Sequence, residues 1–416
     1  MEKTPRDGDE VEGQVNGQKR ESGVLPEGRC SVALGLLRDG QYEMALDYFD
    51  DIVSSGVDFP AWVWDVFIFV LANRGFVEDA VQLMMRRSGT TVKSAAVSPY
   101  TLWYFLLGEC SSLHRYPETK FIWTELVETN LINPSDGIAL NVLNLAARHG
   151  DVNLASHALE TLSARVKLSI HHYEAMIECY TQSGDLNNAF RILCIMPTAG
   201  IIPEAGSTRS IFAILKNSPC QTDTFVTLLS EHRAAQTNIP IAAANAALEA
   251  LCYQKRFDRA AAFYQDITHL CNEGPKHHTL KLLLDSATTT EHARFVLTQL
   301  DTSAIRQRPD MYPGIIRCRL LAGDRDACLR YFEMGPAMRL ENLSWLDKTT
   351  LLAVIRSFVA DQDPRTWDLV DLGRRLGMEI NEEVEVMMEV MRRQEAEREM
   401  VEMATGAADV SSSSPA

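Results

Sequence analysis

A glycine followed five residues later by a small side chain recurs along this chain. The pair is Gly40 and Ala45 in LRDGQYEMALDYF, Gly75 and Ala80 in ANRGFVEDAVQLM, Gly150 and Ala155 in ARHGDVNLASHAL, and Gly184 and Ala189 in TQSGDLNNAF. Fainter copies stand at Lys255 and Ala260 and at Gly323 and Cys328. Neighbouring glycines are separated by about 35 residues, and the wide interval from Gly75 to Gly150 holds one more unit, with its turn at Arg115. A fixed period of this length means that one supersecondary unit is tiled along the chain. That constraint excludes most compact folds.

Each tile has a simple physical logic. A first helix of about 12 residues ends at a glycine, which accepts the left-handed conformation that closes a helix. A second helix packs back on the first, and the small residue lets the two backbones approach. Bulky residues four places on, Phe49, Met84, Leu159, Leu193 and Tyr264, fill the seam. Gly56 and Gly200, each soon followed by proline, stop the second helix. No single hairpin buries its apolar face alone, so the units must stack.

The sequence of 416 residues is long enough for about ten such tiles. Its hydrophobic content of 46% and charged content of 23% are those of an ordinary folded protein. No run of 18 uncharged apolar residues occurs, so no membrane span is expected. The nine cysteines are scattered without a C-x-x-C pair, and most sit in apolar helical runs, as reduced core residues do. The formal charge is −16, and nine acidic against three basic residues of the segment from Asn381 to Ala416 supply −6 of it. Non-specific attraction to phosphate scales with the number of Lys and Arg contacts, so this balance weighs against a simple nucleic-acid clamp.

Four segments are expected. Residues 1–25 are polar and acid-rich and predict disorder; the repeats fill 26–380; a charged helix with Val384, Met388 and Met391 on one face spans 381–403; and 404–416 is a disordered tail. The fold expected is all-α: a right-handed superhelical solenoid of about ten helix-turn-helix repeats of roughly 35 residues.

The stretch YEAMIECYTQSGDLNNAFRILCIMPTAGIIPE resembles a pentatricopeptide repeat, with Tyr173, Gly184, Ala189, Met196, Gly200 and Pro203 at that family's spacing. The unit ending in Gly56 is a second good match, and those from Ala61, Thr101, Asp136 and Ile241 are fainter ones. The resemblance implies an organellar, mitochondrial RNA-binding protein acting in RNA processing, stability or translation, although residues 1–25 lack the acid-poor, arginine-rich face of a presequence. A cytoplasmic location is the alternative. It also implies readout of one base of a single-stranded transcript per repeat by two or three side chains.

The main reader in that family follows the aromatic of the first helix. Here the position holds Cys30, Asp65, Phe105, Leu140, Glu174, Arg209, Asn245, His278 and Pro313, of which only Asn245 is a usual choice. The phosphate-facing cation near the end of the first helix survives as Arg38 and Arg148. If a nucleic-acid path exists, Arg38, Arg148, Arg209, Asn245 and His278 should share the face made by the first helices. Trp62 and Trp103 are candidates to stack bases or anchor a partner helix. An acidic groove lined with such aromatics would instead suit a basic or helical polypeptide, making the chain a scaffold or assembly factor.

Catalysis finds no support in the motifs. H-E-x-x-H, G-x-x-x-x-G-K-[ST] and G-x-G-x-x-G are absent. The doublets His171–His172 and His277–His278 place adjacent rings about 100° apart on a helix, so they cannot converge on one metal ion. The expectation is a non-catalytic protein without cofactor, metal or small-molecule substrate.

Overall fold

The computed structural model describes residues 27–57, 59–89, 98–333 and 346–378, with short helical stretches between 384 and 400. The segments expected to be disordered, 1–25 and 404–416, lie outside the described residues. Among the described residues there is no strand. The chain divides into two units, residues 1–167 and 168–416.

In the first unit four helix pairs follow one another. They are α1 (Glu27–Arg38) with α2 (Tyr42–Ser54), α3 (Ala61–Asn73) with α4 (Val77–Gly89), α5 (Pro99–Ser112) with α6 (Tyr116–Ile122), and α7 (Asp136–His149) with α8 (Val152–Ser163). A π-helical turn, Trp123–Val127, extends α6. The odd-numbered helices pack on one another from α1 to α7, forming one layer of first helices. Aromatic side chains mark that packing: Phe69 of α3 stacks on Phe105 of α5 with centroids 4.8 Å apart.

The second unit continues the pattern with α9 (Ile170–Gln182) and α10 (Leu186–Ile195), α11 (Arg209–Leu215) and α12 (Pro219–Ala234), and α13 (Ile241–Tyr253) and α14 (Phe257–Leu270). Then come α15 (His277–Ser286) and α16 (Thr290–Thr302), α17 (Tyr312–Ala322) and α18 (Arg325–Glu333), and α19 (Lys348–Ala360) and α20 (Thr366–Arg375). Here too the first helices, α9 to α19, pack side by side. Val384, Met388 and Met391 beyond them are buried.

The turn and seam positions obey the stereochemistry expected of them. Gly40, Gly75, Gly150 and Gly184 have φ between 66° and 90°, the left-handed region that closes each first helix. The fourth residue of the second helix is fully buried and small in α2 through α18: Ala45, Ala80, Thr119, Ala155, Ala189, Thr222, Ala260, Ala293 and Cys328. Two seam positions, Thr119 and Thr222, therefore carry threonine where the pattern asks for alanine. The turn placed at Arg115 is instead at His114, whose φ is 57°. After the turn, Asp151 and Asp185 cap α8 and α10 by accepting from the backbone N–H of Leu154 and Asn188 at 3.2 and 3.0 Å.

Burial pushes the thiols of Cys110, Cys194, Cys271, Cys318 and Cys328 up to about 12, so they stay protonated. No described helix is long and apolar enough to cross a membrane.

Candidate nucleic-acid interface

The first-helix layer carries the positions that the repeat pattern marks, and the structure sorts them into three groups. Glu174 and Arg209 come together. Between α9 and α11 lies a groove of about 620 Å³ whose one wall is Glu174, Glu178 and Gln182 and whose other wall includes Gly206, Arg209 and Ser210. The spacing i, i+4, i+8 puts the first three on one face of α9. Glu174 Oε1 accepts a hydrogen bond from Ser207 Oγ at 3.0 Å, and its Oε2 lies 3.2 Å from His171 Nδ1. A Cβ at Gly206 would sit 3.4 Å from Glu174 Oε1, at the near edge of ordinary van der Waals contact.

Asn245 and His278 form the second group, half-buried on the same layer. Asn245 Oδ1 accepts from Thr279 Oγ1 at 2.8 Å, so this residue bridges α13 to α15 across one repeat. The Glu174–Ser207 bond does the same between α9 and the turn that leads into α11. Burial, followed by the nearby His277 and Lys281, lowers the pKa of His278, which keeps its ring neutral near pH 7. The neighbouring histidines serve the fold: His172 Nδ1 accepts from the backbone N–H of Ser169 at 2.9 Å, and His277 lies 3.2 Å from Arg308.

The third group corrects the sequence reading. Asp65 does not face an open surface: it is 6% exposed and ion-paired with Arg87 at 2.7 Å, itself 6% exposed. Trp103 is 8% exposed and packs against Phe121, so it is a core residue and offers no stacking platform. Trp62 remains open at 45%, and Arg38 and Arg148 are exposed at the ends of α1 and α7, Arg38 beside Asp39.

The sequence reading also missed residues. Val66 and Phe69 join Trp62 at i, i+4 and i+7, giving α3 an exposed apolar stripe that contains no charged side chain. Glu178 and Gln182 follow Glu174 by the same helical arithmetic, one and two turns further along α9.

Charge is sorted between layers in the first unit. The acids Glu43, Asp47, Asp50 and Asp79 line a groove of about 330 Å³ between the second helices α2 and α4. Burial, then the neighbouring Glu78, raises the pKa of Asp79 there. The aromatic stripe of α3 is on a first helix. The expected acidic groove lined with aromatics is therefore two separate surfaces.

Comparison with known proteins agrees with the repeat architecture. Residues 31–57 match the PPR repeat family, and residues 136–267 match the family described as pentatricopeptide repeat-containing protein. No curated protein matches the chain. Among solved structures, the pentatricopeptide repeat protein PPR10 from maize aligns at 18% identity with a TM-score of 0.45, over 86% of this chain and 50% of that one. PPR10 in complex with an 18-nt psaJ RNA element aligns at 18% identity with a TM-score of 0.35, over 88% and 56%. Naa15/Naa10 bound to HypK aligns at 15% identity with a TM-score of 0.35, over 88% and 51%. The chain spans about half the length of the solved structures it matches.

Paired helices, a left-handed turn closing most of the first helices, and two separate family matches lead to one identification. Residues 31–57 and 136–267 carry pentatricopeptide repeats.

Proposed function

We propose that this chain is a non-catalytic protein that binds single-stranded RNA along its first helices, in organellar, mitochondrial RNA processing, stability or translation. The observation that carries the reading is the repeat register of the reader positions. Glu174 reaches Ser207 and Asn245 reaches Thr279, so each sits at a seam between successive first helices, where a base can be held between two repeats. Within the first unit, charge favours the first helices, because Glu43, Asp47, Asp50 and Asp79 gather on the second helices. The compartment rests on the family resemblance.

Crosslinking in cells, with sequencing of bound RNA and mass spectrometry of bound protein, tests it. Recovery of organellar transcripts supports the proposal, and recovery of protein alone refutes it. A second reading, a scaffold for a helical polypeptide, is favoured by the Trp62, Val66 and Phe69 stripe, whose spacing matches the anchor pattern of helix packing.

A further inference from the structure

We infer that Asp285 is an internal stand-in for phosphate: it closes a two-cation site, made by Lys281 of α15 and Arg317 of α17, that a strand opens by displacing it. The inference rests on the RNA reading above and adds a brake to it. Asp285 Oδ1 accepts from Arg317 Nη2 at 2.8 Å, and its Oδ2 accepts from Lys281 Nζ. One carboxylate is therefore bridged by cations from two successive first helices. A backbone phosphate offers the same feature, a single negative centre with two free oxygens, and both a guanidinium and an ammonium bind it. The side chains of Lys281, Asp285 and Arg317 are 30%, 40% and 42% exposed, so a strand can reach both cations.

The backbone is arranged to bring the three together. A Cβ at Gly314 would sit 2.9 Å from Leu284 Cβ and 3.1 Å from Asp285 Oδ1, so only a residue without a side chain lets α17 approach α15 this closely. Arg317, one turn beyond Gly314, is thereby carried onto Asp285. The ion pairs themselves do little for the fold. Lys281 precedes Asp285 by four residues, the less stabilising order for such a pair on a helix. Partly exposed pairs of this kind add little to stability, and the buried Leu280, Leu283 and Leu284 hold α15 in place. Displacement exchanges one anion for another and leaves Asp285 in water beside the phosphate, where like charges repel. Asp285 thus lowers affinity without abolishing it.

The test is titration of the full chain with a random single-stranded RNA pool across a salt series. The proteins are wild type, Asp285→Asn, the triple change Asp285→Asn with Lys281→Gln and Arg317→Gln, and Glu291→Gln, which removes the same charge from the second helix α16. Asp285→Ser replaces Asp285→Asn should the latter fail to fold. Freeing two cations should let Asp285→Asn bind more tightly and steepen its slope of log K against log salt by about 1.4, at roughly 0.7 per contact. Its advantage over wild type should then shrink about sevenfold between roughly 50 and 200 mM salt. The triple variant should return to the wild-type slope, and Glu291→Gln should match wild type throughout. RNA binding that Asp285→Asn leaves unchanged, a gain that survives in the triple variant, or an equal gain in Glu291→Gln overturns the inference while leaving RNA binding intact. No RNA binding by any of the proteins overturns both.

Discussion

Asp65 and Arg87 meet at 2.7 Å with both side chains almost wholly buried, joining the first and second helices of one repeat. Removing one member of such a pair strands a charge away from water. Asp65→Ala should destabilise the protein by about 3–5 kcal/mol, whereas the double change Asp65→Leu with Arg87→Met should recover most of the loss. Denaturant titration of the three proteins measures this. Equal loss in the single and double variants would show that the pair contributes more than mutual neutralisation.

The small residue at the hairpin crossing gives a second prediction. Ala155 and Ala189 are wholly inaccessible at the fourth position of α8 and α10. Phenylalanine there should overpack the seam and cost about 1–3 kcal/mol. Repeat stability is a nearest-neighbour property, so hydrogen exchange should rise in the adjoining repeat as well. An unchanged melting curve for Ala189→Phe would contradict the packing.

Acid should weaken the join between α12 and α14. The Arg256 guanidinium donates to Asp223 at 3.0 Å and, with Arg259 beside it, lowers the Asp223 pKa. A carboxylate with a lowered folded pKa adds stability above its unfolded value and loses that stability as pH falls through the folded one. Asp223→Asn should therefore lower the urea midpoint slightly at pH 7 and leave it unchanged near pH 3. The same offset at both values would mean that charge is not the cause.

Much of the fold was legible because each signal answers a local need. A glycine closes a helix left-handedly, and a small residue lets two backbones cross; both show in the sequence wherever they occur. His114 escaped because a non-glycine residue takes the left-handed turn there, with φ 57°, one place before the expected Arg115. The site was less legible for a different reason. Whether Asp65 faces a ligand or the core depends on Arg87, a residue on the next helix, and no spacing rule announces that partner. Trp103 turned inward for the same kind of reason, through its contact with Phe121.

The stripe on α3 separates surface from core. Trp62 and Phe69 are about half exposed, so Trp62→Ala should change stability by no more than about 0.5 kcal/mol. If a polypeptide docks there, the same change should remove most of its affinity. Pull-down of partners by wild type and Trp62→Ala, compared by mass spectrometry, reads the difference. Identical partner sets would rule that surface out.

The central claim is that RNA lies on the first helices. Purified wild type, Arg209→Glu on the first helix α11 and Arg191→Glu on the second helix α10 should be titrated with a random single-stranded RNA pool at two salt concentrations. Phosphate contacts release counterions, so each lost contact lowers the slope of log K against log salt by about 0.7 for a single strand. The prediction is weaker binding and a shallower slope for Arg209→Glu, with Arg191→Glu unchanged. Equal losses in both variants, or no RNA binding by the wild type, would contradict the account.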